Sequence, residues 1–170
     1  MTISRTSTRV VWGLLALGWI PTLAVVGAHR LGQPAVEAQT RAPIVVTRLY
    51  TGEDGKTHAE DIDVTMGALR GTSQRSAPAD VSSLQFVRTT PEYFLDWHTA
   101  PSRQFIVTLS GQSEVVIGDG TVIRLHPGRV LLVEDVEGQG HLSRAVPGEE
   151  RVSLFIPLSD QSGPLPEALR

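Results

Sequence analysis

From Ile44 onward the chain reads as short apolar and alternating runs broken by turn residues. Ile44–Tyr50 (IVVTRLY) is rich in β-branched residues and stops at the turn cluster Gly52-Glu53-Asp54-Gly55. His58–Val64 alternates, with Ile62 and Val64 on one face and Asp61 and Asp63 on the other. Leu84–Arg88, Arg103–Leu109, Glu114–Ile117, Thr121–Leu125, Val130–Glu134, His141–Ala145 and Val152–Ile156 follow as predicted strands. Gly118-Asp119-Gly120 separates two β-branched runs and predicts a tight hairpin, because glycine supplies the positive φ that such turns need. Pro127-Gly128 marks another turn, and the small, polar, proline-bearing stretch 67–80 reads as a surface loop. No helical period or long repeat stands out in this part of the chain. Close-spaced short strands of this kind mean an all-β sandwich or barrel, which limits exposed sheet edges.

The first 28 residues differ in kind. Val10–Ala28 carries no charge and follows Arg5 and Arg9. At about 1.5 Å rise per residue the run nearly spans a hydrocarbon core of about 30 Å. Two readings stand: a retained single-pass anchor, favoured by length, and a signal peptide cut after Val26-Gly27-Ala28 or Val36-Glu37-Ala38. Both send the remainder across the membrane, to a membrane-attached or exported, periplasmic location. His29–Pro43 has Gly32, Pro34 and Pro43 among polar residues and reads as a linker. The expected plan is an anchor or signal over 1–28, a linker over 29–43, a β-domain over 44–158 and a tail over 159–170.

Composition narrows the chemistry. A 170-residue chain with 41% hydrophobic residues supports one folded domain. A formal net charge of -3 and aromatics at 5% give no footing for a nucleic-acid partner. The absence of cysteine removes disulfides, thiolate metal sites and thiol nucleophiles. No phosphate-cradling loop, G-x-S-x-G elbow or calcium loop is present.

Asp96-Trp97-His98-Thr99-Ala100-Pro101-Ser102-Arg103-Gln104, followed after six residues by Gly111, resembles the first motif of the cupin superfamily, H-x-H, then E, then G. His98 takes the first histidine position and Gly111 the closing glycine. Ala100 replaces the second histidine and Gln104 the glutamate. Leu125-His126-Pro127-Gly128 and Gly138-Gln139-Gly140-His141 resemble parts of the second motif, with His141 as its histidine. The resemblance covers roughly residues 44–158 and implies a double-stranded β-helix, or jelly-roll barrel, with the site inside it. It also implies a homodimer formed through an outer sheet face, as cupins often do. Such a fold carries many functions, so the site must speak for itself.

The expected pocket consists of His98, Gln104 and His141, with Trp97 and Thr108 as further wall residues. Period two puts Gln104, Ile106 and Thr108 on one strand face and His141 and Ser143 on another. The resemblance implies a metal at His98, Gln104 and His141, a divalent Fe, Zn, Ni, Cu or Mn, with Asp96, His58 or Glu60 as additional ligands. Two imidazoles and an amide leave such a charge uncompensated, so a metal-free pocket stands beside the metal centre. The functional readings are a small-molecule-binding protein without turnover and a metal-dependent enzyme, a dioxygenase or isomerase of a small organic substrate. Elsewhere, His126 reads as solvated, Glu134-Asp135 as a solvated turn or backbone cap, and Arg103 as a surface ion pair or a contact to an acidic substrate.

Overall fold

The structure, a computed structural model, describes residues 42–170. The apolar segment 10–28 and nearly all of the linker lie outside the described residues. Among the described residues no helix is long and apolar enough to cross a membrane.

The described part is all-β and folds into two sheets. The strands are β1 (Val45–Thr51), β2 (Thr57–Asp63), β3 (Gln85–Thr89), β4 (Phe94–His98), β5 (Gln104–Ser110), β6 (Ser113–Val116), β7 (Val122–Leu125), β8 (Val130–Glu134), β9 (His141–Ala145) and β10 (Arg151–Pro157). One sheet has the order β2-β1-β8-β5-β10-β3 and the other β4-β9-β6-β7. Neighbours are antiparallel except β1 and β8, which run parallel.

Strand patterns follow from what covers each face. β7 alternates, with Ile123 and Leu125 buried and Val122 and Arg124 exposed, because one side of its sheet meets water. β8 is apolar through Val130–Val133 because both its faces are covered. Leu131 and Val133 face the other sheet and pack with Leu49, Val115, Ile117, Ile123 and Leu125. Leu132 faces outward and packs with Val46, Leu158 and Leu169, the last from a single 3₁₀ turn at Glu167–Leu169. The tail therefore folds back as a cover over the outer face of the six-stranded sheet. Complete burial of leucines such as Leu49, Leu131 and Leu132 contributes about 1.5–3 kcal/mol each.

The Gly118–Gly120 hairpin forms as the sequence predicts, joining β6 and β7 with Gly120 at φ 86°. Two expectations need correction. A closed barrel is not found: β2, β3, β4 and β7 each end a sheet, and β3 and β4, although consecutive, do not pair. The chain also has a strand, β4, that lay outside the predicted set. Its sequence FLDWH does not alternate, because four of its five residues are exposed at a sheet edge.

Candidate functional site

Between the sheets lies a cavity of about 200 Å³. Its walls are largely apolar: Leu49, Ile106, Val115, Leu125, Leu131 and Val133 line it from β1, β5, β6, β7 and β8. Its polar groups are His98, Gln104, His141, Ser143, Tyr93 and Arg151. Leu95 and Pro101, both exposed, and the half-buried Tyr93 and Phe155 border it too, which puts its mouth on the side where β3 and β4 leave the sheets unpaired.

His98 and His141 are register partners on β4 and β9, with ring centroids 4.4 Å apart and planes inclined by 60°. The His98 Nδ1–H donates to the Asp96 carbonyl at 2.7 Å. His141 Nδ1 is 2.6 Å from Asp135 Oδ2, which also accepts from the Thr57 hydroxyl at 2.9 Å. With Nδ1 committed in both rings, Nε2 is left as the free nitrogen. Gly140 allows this approach. It sits at φ 72°, and a Cβ there would fall on the His98 carbonyl, so β9 could not lie this close to β4 with any side chain at 140.

Arg151 enters at the start of β10. It is 5% exposed, donates from Nη1 to the Ser113 hydroxyl at 2.7 Å, and holds its guanidinium carbon 5.8 Å from the Tyr93 ring centroid. Its Nε is buried without a partner. Burial pushes the Arg151 guanidinium below its ordinary pKa, and Tyr93 opposes the shift. Gly111 helps to position it. This glycine, at φ 68°, packs so tightly that a Cβ would overlap the Glu150 carbonyl, immediately before Arg151.

The other predicted site residues lie elsewhere. A bulge between Leu95 and His98 sets two residues of β4 opposite one of β9. Leu95 and His98 both line the cavity as a result. Asp96 does not share the His98 face: its carboxylate accepts from the Trp97 N–H. Trp97 is 41% exposed and forms no part of the wall. Gln104 is buried and lines the cavity, whereas Thr108, fully buried on the same face of β5, does not. His58 pairs with Asp54 in the β1–β2 turn at 2.9 Å, and Glu60 pairs with Arg48 at 2.8 Å, so both are committed away from the cavity. Glu134-Asp135 is not a solvated turn, since Asp135 is wholly buried beneath His141 and Glu134 is paired with Arg103. Arg103 is itself buried, so its pair does not lie at the surface.

No family model matches the chain, and no curated protein matches it. Among solved structures, the crystal structure of protein NMB1881 from Neisseria meningitidis is similar at 18% identity, over 52% of this chain and 90% of that one, with a TM-score of 0.37. Overlap at that score adds nothing to the fold read from the strands.

The donor set does not fit a resident metal. Among the described residues no group of three His, Cys, Asp or Glu side chains is placed to hold an ion. Of the nearby carboxylates, Asp135 is engaged through Oδ2 by His141 and Thr57 while its Oδ1 is buried without a hydrogen-bond partner, and Asp96 is engaged by the Trp97 N–H. Two imidazoles and the Gln104 amide supply no negative charge, and a buried guanidinium shares their cavity. Arg151, Tyr93 and Asp135 are the site residues that sequence reasoning missed. The signal for Arg151 was a basic residue heading a strand whose next inward position is Ser153.

Proposed function

We propose that this chain is an extracytoplasmic small-molecule-binding protein of the cupin, double-stranded β-helix type, which holds its ligand between the two sheets without converting it. The observation that carries the reading is the cavity of about 200 Å³, apolar in its walls and with a few converging polar groups, the usual makeup of a ligand pocket. An engineered apolar cavity of about 150 Å³ takes up benzene, so a ligand built on one ring, or its aliphatic equivalent, suits this volume. The positions of His98, Gln104, His141 and Gly111 support the jelly-roll assignment, and the apolar run Val10–Ala28 supports delivery across the membrane by an anchor or a cleaved signal.

The test is a nuclear magnetic resonance titration of the purified full-length chain with one-ring fragments: toluene, phenol, benzamide and benzoate. Binding is expected to shift signals of β8 and β9 around Leu131, Val133 and His141. Val133→Trp, which fills the cavity, should abolish those shifts. If no fragment moves these signals, the pocket reading is wrong. Elemental analysis of the same sample tests the enzyme alternative. Stoichiometric transition metal that disappears in the His98→Ala, His141→Ala double variant would replace binding with metal-dependent catalysis.

A further inference from the structure

We infer that the ligand is a small monocarboxylic acid whose anionic head is received by Arg151 at the Ser113 end of the cavity. This rests on the pocket reading above and specifies the chemistry of what fills it.

A guanidinium removed from water needs a compensating anion or a full set of acceptors. Arg151 has neither: its side chain makes one hydrogen bond among the described residues, to Ser113 Oγ, and no described carboxylate pairs with it. Two positions along the same inward face of β10, the Ser153 hydroxyl is also buried without a partner. Arg151 is the sole Lys or Arg among the residues lining the cavity. One cation calls for one negative charge, which favours a carboxylate over a phosphate dianion. The planar fork of the guanidinium matches a carboxylate in a bidentate pair.

The rest of the cavity describes the rest of the ligand. Leu49, Ile106, Val115, Leu125, Leu131 and Val133 admit an apolar body, which the volume limits to about six to eight carbons. Ser113 pairs with Ala145 at the end of β9 opposite His141, four residues and thus about 13 Å along the strand. The free Nε2 atoms of His98 and His141 and the Gln104 amide therefore lie at the far end from the anionic head. They accept a hydrogen bond from a ligand hydroxyl there.

The experiment measures binding of benzoate and of benzamide, its neutral isostere, to the full-length chain by calorimetry and by the cavity signals. Benzoate should bind at least about tenfold more tightly than benzamide, the loss expected when a charge-assisted pair is replaced by a neutral one. Arg151→Met should erase that preference, weakening benzoate far more than benzamide, and Ser113→Ala should reduce it several-fold. Should Arg151→Met fail to fold, the benzoate-to-benzamide ratio of the native chain and the Ser113→Ala result decide alone. Benzamide binding as tightly as benzoate within the cavity overturns the carboxylate and leaves the pocket standing. If neither probe reaches the cavity the carboxylate falls, and the pocket reading falls with it when toluene and phenol also leave the cavity signals unmoved.

Discussion

The two faces of the six-stranded sheet each bury an arginine, and they treat it in opposite ways. On the outer face Arg103 is held by the Glu134 carboxylate through Nε and Nη2, and by the carbonyls of Asp160 and Pro164. Glu134 in turn accepts from Arg48 at 2.6 Å, so the face carries a paired network roofed by the C-terminal tail. On the inner face Arg151 is as deeply buried, yet it has one hydroxyl and one aromatic ring for company. The outer arginine is part of the protein's own stability. The inner one has an unpartnered Nε and no counter-charge among the described residues, a lack that the proposed acid would fill.

The largest effect should come from breaking the satisfied side. Arg103→Met leaves Glu134 buried against Arg48 alone and removes the donors that tie down the tail carbonyls. Removing one partner of a buried pair costs about 3–5 kcal/mol. The remaining Arg48 contact places the expected loss near the lower end, about 3 kcal/mol by urea denaturation. A change within about 0.5 kcal/mol would mean that the pair is no more than a surface contact, and the contrast between the faces would vanish.

How much of this was legible in the sequence divides along the same lines. β2 announced itself by alternation, with Ile62 and Val64 turned to the core and Asp61 and Asp63 to water, and the hairpin at Gly118–Gly120 by its glycines between two β-branched runs. β4 did not, because a bulged edge strand with most of its side chains exposed has no face for a pattern to mark. His98 and His141 could be named as candidates from the residues around them. Their register partnership depends on β4 adding to β9, a pairing that no local signal encodes. The acidic pair Glu134-Asp135 reads locally as solvated. It is buried because Arg103, itself tied to the tail carbonyls of Asp160 and Pro164, meets one carboxylate and a histidine from β9 meets the other. Arg151 follows Glu149 and Glu150 and looks like part of a surface charge cluster. Its burial is decided by β6 and by the close packing of Gly111 on Glu150, contacts about 40 residues away in sequence.

On the unsatisfied side the sign should reverse. Arg151→Met keeps much of the side-chain volume, removes a buried charge and forfeits one hydrogen bond to Ser113. Replacing buried charge by apolar groups of similar size is often stabilising by about 1–4 kcal/mol. With the lost hydrogen bond subtracted, the ligand-free protein should gain about 1–2 kcal/mol. Thermal and urea unfolding of the purified chain without added acid would measure it. Destabilisation comparable to that of Arg103→Met would show that Arg151 is a structural residue whose needs the protein already meets.

The finest test supplies the missing anion from the protein itself. Ser113 Oγ lies 2.7 Å from Arg151 Nη1, so Ser113→Asp sets a carboxylate where the ligand's head is placed by the proposal. Ser113 is fully buried, whereas the guanidinium it touches lines the cavity, so the longer side chain reaches its room by following the guanidinium inward. An intramolecular pair in this position should do for Arg151 what Glu134 does for Arg103. The gain should be about 1 kcal/mol, because the new carboxylate must itself leave water. The same substitution should abolish benzoate binding, by occupying the fork and by repelling a second anion, while benzamide binding changes little. Stability and acid binding would then move in opposite directions through a single carboxylate. That coupling is the signature of a buried charge kept open for a ligand, and a variant that still binds benzoate with native affinity would show that the acid, if bound, sits elsewhere in the cavity.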